Sequence, residues 1–177
     1  TTGSDYAGGI VGLIGGTTAI RNCKSTANVI LATFDSANNA TAKNGAGGII
    51  GYVQSGANIT VENCTYAGGS NYVARNVDGN VVIDANVFGA NGVGGIIGYM
   101  PGGTTSLKVS GCAASGDICG TLNVGGIIGR AHTTSAAVNA MLLSNLYSSA
   151  TIKATGTTST AGGIVGYLYY SGGTTTN

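Results

Sequence analysis

The chain has 177 residues, a net charge of +1, 7% charged and 43% hydrophobic residues. That length supports a domain with a real core, the apolar content argues against disorder, and the balanced charge leaves no electrostatic footprint for nucleic acid or an anionic membrane. Gly is abundant at 33 residues without a period of three, which excludes collagen, and the dominance of Gly, Thr, Ser, Asn and β-branched residues disfavours helix throughout.

Five copies of one phrase punctuate the chain: Gly8-Gly9-Ile10-Val11-Gly12, Gly47-Gly48-Ile49-Ile50-Gly51, Gly94-Gly95-Ile96-Ile97-Gly98, Gly125-Gly126-Ile127-Ile128-Gly129 and Gly162-Gly163-Ile164-Val165-Gly166. Their starts lie 39, 47, 31 and 37 residues apart. A period in this range means a repeat architecture, in which each unit buries its apolar face by stacking on its neighbours.

Each phrase leads into a Gly- or Thr-rich turn, such as Gly15-Gly16-Thr17-Thr18 or Ser55-Gly56-Ala57-Asn58. An alternating segment comes after it, as in Ile59-Thr60-Val61-Glu62 and Leu107-Lys108-Val109-Ser110. Next is a two-residue corner: Asn22-Cys23, Asn63-Cys64, Gly111-Cys112 and Asn145-Leu146. The first corner position holds only Asn or Gly, the residues that tolerate the left-handed αL conformation. The second is expected to point inward, so Cys23, Cys64, Cys112 and Leu146 form a core ladder. Parallel stacking aims their Cβ vectors the same way, which suits packed thiols better than disulfides. A Cys112–Cys119 link is disfavoured because both residues lie in one extended segment.

After the corner, alternate residues are small and then aliphatic, as in Cys112, Ala114, Gly116 and Ile118. Three short strands per repeat are therefore expected, stacked in parallel at about 4.8 Å on their equivalents. The fold class is all-β, a parallel β-solenoid of about five coils with hairpin or loop insertions. It is read as one domain over residues 1–177, with repeats starting near 8, 47, 94, 125 and 162 and the last incomplete. The 31-residue repeat is the bare coil. Asp78-Gly79, between Tyr72–Val77 and Asn80–Asp84, signals a hairpin insertion. Ile30–Phe34, turning at Asp35 to Asn39, is a looser version. Extended third strands with ordinary loops are the other reading of both.

The residue after each phrase is Leu13, Tyr52, Tyr99, Arg130 or Tyr167. An arginine is rarely buried in a solenoid core, so this column is expected to face outward. Strand alternation then adds Val11, Ile50, Ile97, Ile128 and Val165 to the same face and sends Ile10, Ile49, Ile96, Ile127 and Ile164 inward. The outcome is a candidate interaction face, an apolar and aromatic strip either covered by the insertions or used as a lateral interface. A bend within the phrase would defeat the alternation.

The six acids, Asp5, Asp35, Glu62, Asp78, Asp84 and Asp117, are scattered, and His132 is the only histidine. Clustered carboxylates, a His-based triad and a His-based metal site are therefore not expected, so the chain is read as no enzyme, without cofactor or metal. No apolar run reaches the roughly 18–20 residues that span a bilayer, so no membrane insertion is expected. A surface polar through Thr, Ser and Asn points to an extracellular or cell-surface location. No signal peptide opens the chain at Thr1 and no cap closes it after Thr174–Asn177. The first is expected from removal of a signal peptide or from excision out of a longer protein, and the second from excision or from open ends that stack head to tail.

The phrase, with (Ile/Val)-x-Asn-Cys and a small-residue strand after it, resembles the GLUG-type repeat of bacterial surface proteins, including filamentous-haemagglutinin-like adhesins and the non-catalytic region of IgA-cleaving metallopeptidases. The resemblance implies a β-solenoid on a secreted or surface-attached protein. The chain departs from it at Asn145-Leu146, which lacks the Cys, and at Arg130. It has no His-Glu-x-x-His, so no metallopeptidase site carries over. The leading function is an extracellular structural stalk, adhesin segment or filament subunit, with self-association or neighbouring coils as partners. The alternative is a glycan-binding module using Tyr52, Tyr99, Tyr167, Tyr169 and Tyr170 toward a surface glycan, or contact with a host protein.

Overall fold

The structure, a computed structural model, describes residues 5–34, 40–70, 72–75, 81–104, 106–133 and 141–170. Among them every regular element is a strand. The shortest repeat shows the coil without insertions. From Gly94 the chain runs through Ile97–Thr104, Ser106–Ser110, Ala113–Ser115 and Asp117–Gly125. These four strands belong to four different sheets, so a coil has four sides rather than the three strands expected. We call the sheets B, C, D and A in that order.

Each of these four sheets is a parallel stack of equivalent strands, in register apart from a shift between Met100 and Thr104 in sheet B. Sheet B joins Val11–Ile14, Ile50–Val53, Ile97–Thr104, Ile128–Thr133 and Val165–Tyr170. Sheet C joins Thr17–Arg21, Asn58–Glu62, Ser106–Ser110 and Met141–Ser144, with Ile20, Val61, Val109 and Leu143 on one rung column. Its alternation is the one read from sequence: Ile59 and Val61 are buried while Asn58, Thr60 and Glu62 lie on the outer side. Arg21 and Glu62 are register partners and form an exposed ion pair, a geometry worth little in water.

The fourth side arises inside the Gly-Gly phrase. The N–H groups of Ile96 and Ile97 both donate to the Ile127 carbonyl, at 2.9 and 3.0 Å. The doubled bond recurs from Ile10 and Val11 to Ile49, from Ile49 and Ile50 to Ile96, and from Ile127 and Ile128 to Ile164. Two successive amides reaching one carbonyl turn the strand, as at a β-bulge. This bend overturns the expected face. Ile50, Ile97 and Ile128 are fully buried together with Ile49, Ile96 and Ile127, and Val11 and Val165 pack against the same core. The five residues at Val11, Ile50, Ile97, Ile128 and Val165 are therefore core, not an outward strip.

The second glycine of each phrase permits that bend. A Cβ on Gly9, Gly48, Gly95 or Gly126 would collide with the sheet D residue opposite, which is Ser25, Tyr66, Ala114 or Ser148, and with the carbonyl of the next coil. The coil is thus one side chain thick at this edge, which explains the small residues after each corner.

The corners themselves carry φ values of 55 at Asn22, 52 at Asn63, 61 at Gly111 and 52 at Asn145. A second left-handed column, not read from sequence, lies two residues before the phrase at Gly45, Gly92 and Asn123.

Both insertions are antiparallel hairpins: Ala32–Phe34 with Ala40–Ala42, and Tyr72–Arg75 with Val81–Ala85. Their tips, including Asp35, Asp78 and Gly79, lie outside the described residues. The two hairpins leave the coil at different places. The first interrupts sheet A between Val29–Ile30 and Ala46–Gly47; the second stands between sheet D and sheet A.

Candidate functional site

Two ladders run along the solenoid. The first is the cysteine corner. Cys64 and Cys112 are buried and Cys23 is half-buried, and all four cysteines are free thiols. Each corner thiol donates to the carbonyl two residues earlier: Cys23 to Arg21, Cys64 to Glu62 and Cys112 to Ser110, all at 3.3 Å. The αL turn points that carbonyl back at the side chain, so a cysteine fills the corner and contributes a weak donor. Leu146 keeps the volume without the donor. Burial pushes the Cys112 thiol up to about 11, and the Cys64 thiol upward as well. These are inert thiols rather than nucleophiles.

The second ladder is aromatic and lies on sheet B. Leu13, Tyr52, Tyr99, Arg130 and Tyr167 are register partners, so parallel stacking places their side chains one above another. The Tyr52 and Tyr99 rings lie 5.6 Å apart and 6° from parallel. In the first coil Leu13 is half exposed, and Tyr6 supplies the missing ring, stacked on Tyr52 at 3.9 Å. Arg130 continues the column as a cation between two rings, 4.9 Å from the Tyr99 centroid and 5.2 Å from that of Tyr167. Tyr167 stacks on Tyr169, and His132 meets Tyr169 edge-on at 4.7 Å.

The ladder rests on the second left-handed column, because a Cβ on Gly92 would strike the Tyr99 ring and one on Gly45 would strike that of Tyr6. Burial, and then the neighbouring Tyr6 hydroxyl, push the Tyr52 hydroxyl above its ordinary value. Burial and the Arg130 charge hold His132 below its ordinary value. Arg130 Nε and His132 Nε2 are buried without a hydrogen-bond partner among the described residues. The column is therefore outward but half-buried by its own rungs.

Three residues outside the sequence reading shape these ladders. Tyr6 had a signal, since it sits two residues before a phrase, in register with Gly45. Tyr66 stands where the other coils carry Ser25, Ala114 and Ser148; it is fully buried and donates to the Ala27 carbonyl at 3.0 Å. Asn86 is buried beneath the second hairpin. It donates to Asn28 Oδ1 and the Gly69 carbonyl and accepts from the Asp117 N–H, so all its groups are used in joining three coils. Among the described residues no three His, Cys, Asp or Glu side chains gather at one place.

The family model described as the GLUG motif matches residues 3–30, which span the first phrase and the first corner. The same phrase recurs in every later coil, and the Asn-or-Gly corner in the second, third and fourth, as in a GLUG-type repeat region. No curated protein and no solved structure matches the chain.

Proposed function

We propose that this GLUG-type repeat β-solenoid is a non-enzymatic structural segment of a secreted or surface-attached protein, acting as a stalk, adhesin segment or filament subunit. The observation that carries the reading is the stack itself. The columns that run along it, Ile49 to Ile127, Cys23 to Cys112 and Tyr52 to Tyr167, are all engaged in holding one coil to the next. Sheet B ends on Val11–Ile14 at one side and Val165–Tyr170 at the other, each with one edge unpaired among the described strands. Such edges accept a further coil of the same protein or of a second copy, and head-to-tail contact of that kind does not close.

Glycan binding on Tyr52 and Tyr99 is less well supported. Tyr52 lies between Tyr6 and Tyr99, and Tyr99 between Tyr52 and Arg130, so the ring faces that stack on a sugar are occupied. A host protein would meet only their edges.

Sedimentation and electron microscopy of the purified chain, with external protease treatment of intact source cells, test the proposal. Rod-like particles that lengthen with concentration, and release of the chain from intact cells, are expected. A compact monomer at high concentration together with protection inside the cell would overturn it.

A further inference from the structure

The outer face of sheet A carries a groove of about 460 Å³ that stacking of the coils does not require. Phe88, Cys119 and Lys153 are successive rungs of one column along its floor. Thr121 stands two residues beyond Cys119 on its strand, Thr155 stands one residue past the end of Thr151–Ala154, and both are exposed on the outward side. A solenoid sheet alone is open and nearly flat. Here the strand Val81–Ala85 of the second hairpin rises beside it and supplies Ile83 and Asp84 as a wall. The volume lies within the range of about 300–1,000 Å³ usual for small-molecule sites.

The geometry points to a binding site for a short neutral saccharide in this groove. The Phe88 ring offers an apolar face to the C–H side of a pyranose. The Thr121 hydroxyl donates or accepts, the Thr155 hydroxyl, whose proton goes to the Gly120 carbonyl, accepts, the Asp84 carboxylate accepts, and the Lys153 ammonium donates. One carboxylate and one ammonium leave the groove without net charge. An anionic ligand would meet Asp84 and a cationic one Lys153, whereas a neutral polyol uses both. Cys119 does not alter that balance, because burial pushes its thiol up more than Lys153 draws it down. The inference goes beyond the structural reading above and does not depend on it, since a stalk or a filament would carry the groove equally.

Cys119 supplies the assay. The full chain is alkylated with iodoacetamide at mildly alkaline pH, and peptide mass spectrometry monitors Cys119, with half-buried Cys23 as internal control. Lactose, maltose and N,N′-diacetylchitobiose are the probes, and glucuronic acid and glucosamine the charged comparisons. At least one neutral disaccharide at about 10 mM, a concentration suited to weak millimolar binding, is expected to slow Cys119 alkylation and leave Cys23 unchanged.

Phe88→Ala and Asp84→Asn should each weaken that protection about fivefold or more, the loss expected for one contact worth about 1 kcal/mol. Asp84 is exposed and its amide is isosteric, so the second variant keeps the test decisive if Phe88→Ala does not fold. Absence of protection by all three sugars, stronger protection by a charged one, or protection that survives both substitutions would each overturn the proposal. Amide shifts confined to Tyr52 and Tyr99 on sheet B would assign sugar binding to the aromatic ladder instead and reject the groove.

Discussion

Asn63 holds φ at 52, between Asn22 at 55 and Gly111 at 61 in the corner column. A β-branched residue resists that conformation, so Asn63→Val is expected to lower stability by about 1–2 kcal/mol. Asn63→Gly should be tolerated, and Thr60→Val on the outer side of the same strand should stay within about 0.5 kcal/mol. Urea denaturation compares the three; equal losses for the two valine variants would show that αL geometry does not select this residue.

A second contrast lies in the phrase glycines. A Cβ on Gly95 would strike the Ala114 side chain and the Gly126 carbonyl, whereas the equivalent Gly163 has open space. Gly95→Ala should therefore cost about 1–3 kcal/mol or more by overpacking, and Gly163→Ala little. The same urea series measures both, and comparable effects would mean that the close approach of sheet D is not what the glycine serves.

At the scale of the strand, the bend decides what the sequence pattern leaves ambiguous. Strict alternation puts Ile97 beside Tyr99 on the outside. The doubled hydrogen bond to Ile127 starts a new strand at Ile97 instead, so Ile96 and Ile97 both enter the core. Ile97→Ala should lower stability by about 2–5 kcal/mol, the cost of a buried large-to-small change. Leu13→Ala, on the outward column and half exposed, should cost well under half as much. Thermal or urea melts of the two variants are the check, and a small effect at Ile97 would restore the outward strip. The aromatic ladder has the same origin. Once the isoleucines turn in, parallel register stacks Tyr52 on Tyr99 and sets Arg130 between Tyr99 and Tyr167.

Across the whole molecule, stability should fall from the middle coils outward. Ile49, Ile96 and Ile127 are fully buried, while Ile10 is 46% exposed and Ile164 only half-buried. In a repeat array each coil is held by its neighbours. Amide exchange is therefore expected to be slowest at Ile49 and Ile96 and fastest in the first and last coils; uniform protection would contradict a stack held by its neighbours.

The middle coils also contain groups expected to make the molecule sensitive to alkali. Burial raises Cys112 from 9.0 to about 11 and Tyr66 from 10.0 to about 12. Both hold their protons to higher pH folded than unfolded, so their contribution is complete below about pH 9 and is lost as pH rises through the folded values. The melting temperature should decline above about pH 9, and Tyr66→Phe should flatten the part of the decline above the tyrosine's ordinary value of 10.0. An unchanged slope in that variant would remove Tyr66 from the account.

The period, the parallel stacking, the αL corner and the cysteine column were legible in the chain because each rests on local chemistry. A corner needs a residue that tolerates positive φ, and equivalent residues in a parallel register must share an environment. The hairpins were half legible, with Asp78-Gly79 marking a turn but nothing choosing between a hairpin and a loop. The bend at the phrase was not legible, because the bond that makes it joins residues a full coil apart. Tyr6 reaches Tyr52 only through register, Tyr66 fills an edge that its sequence neighbours leave unmarked, and the groove over Phe88 and Lys153 exists only where one coil's hairpin rises beside the next coil's strand. The sequence by itself determined the repeat and its corners; the tertiary stack decided which side of each strand is buried, since burial depends on contacts between coils.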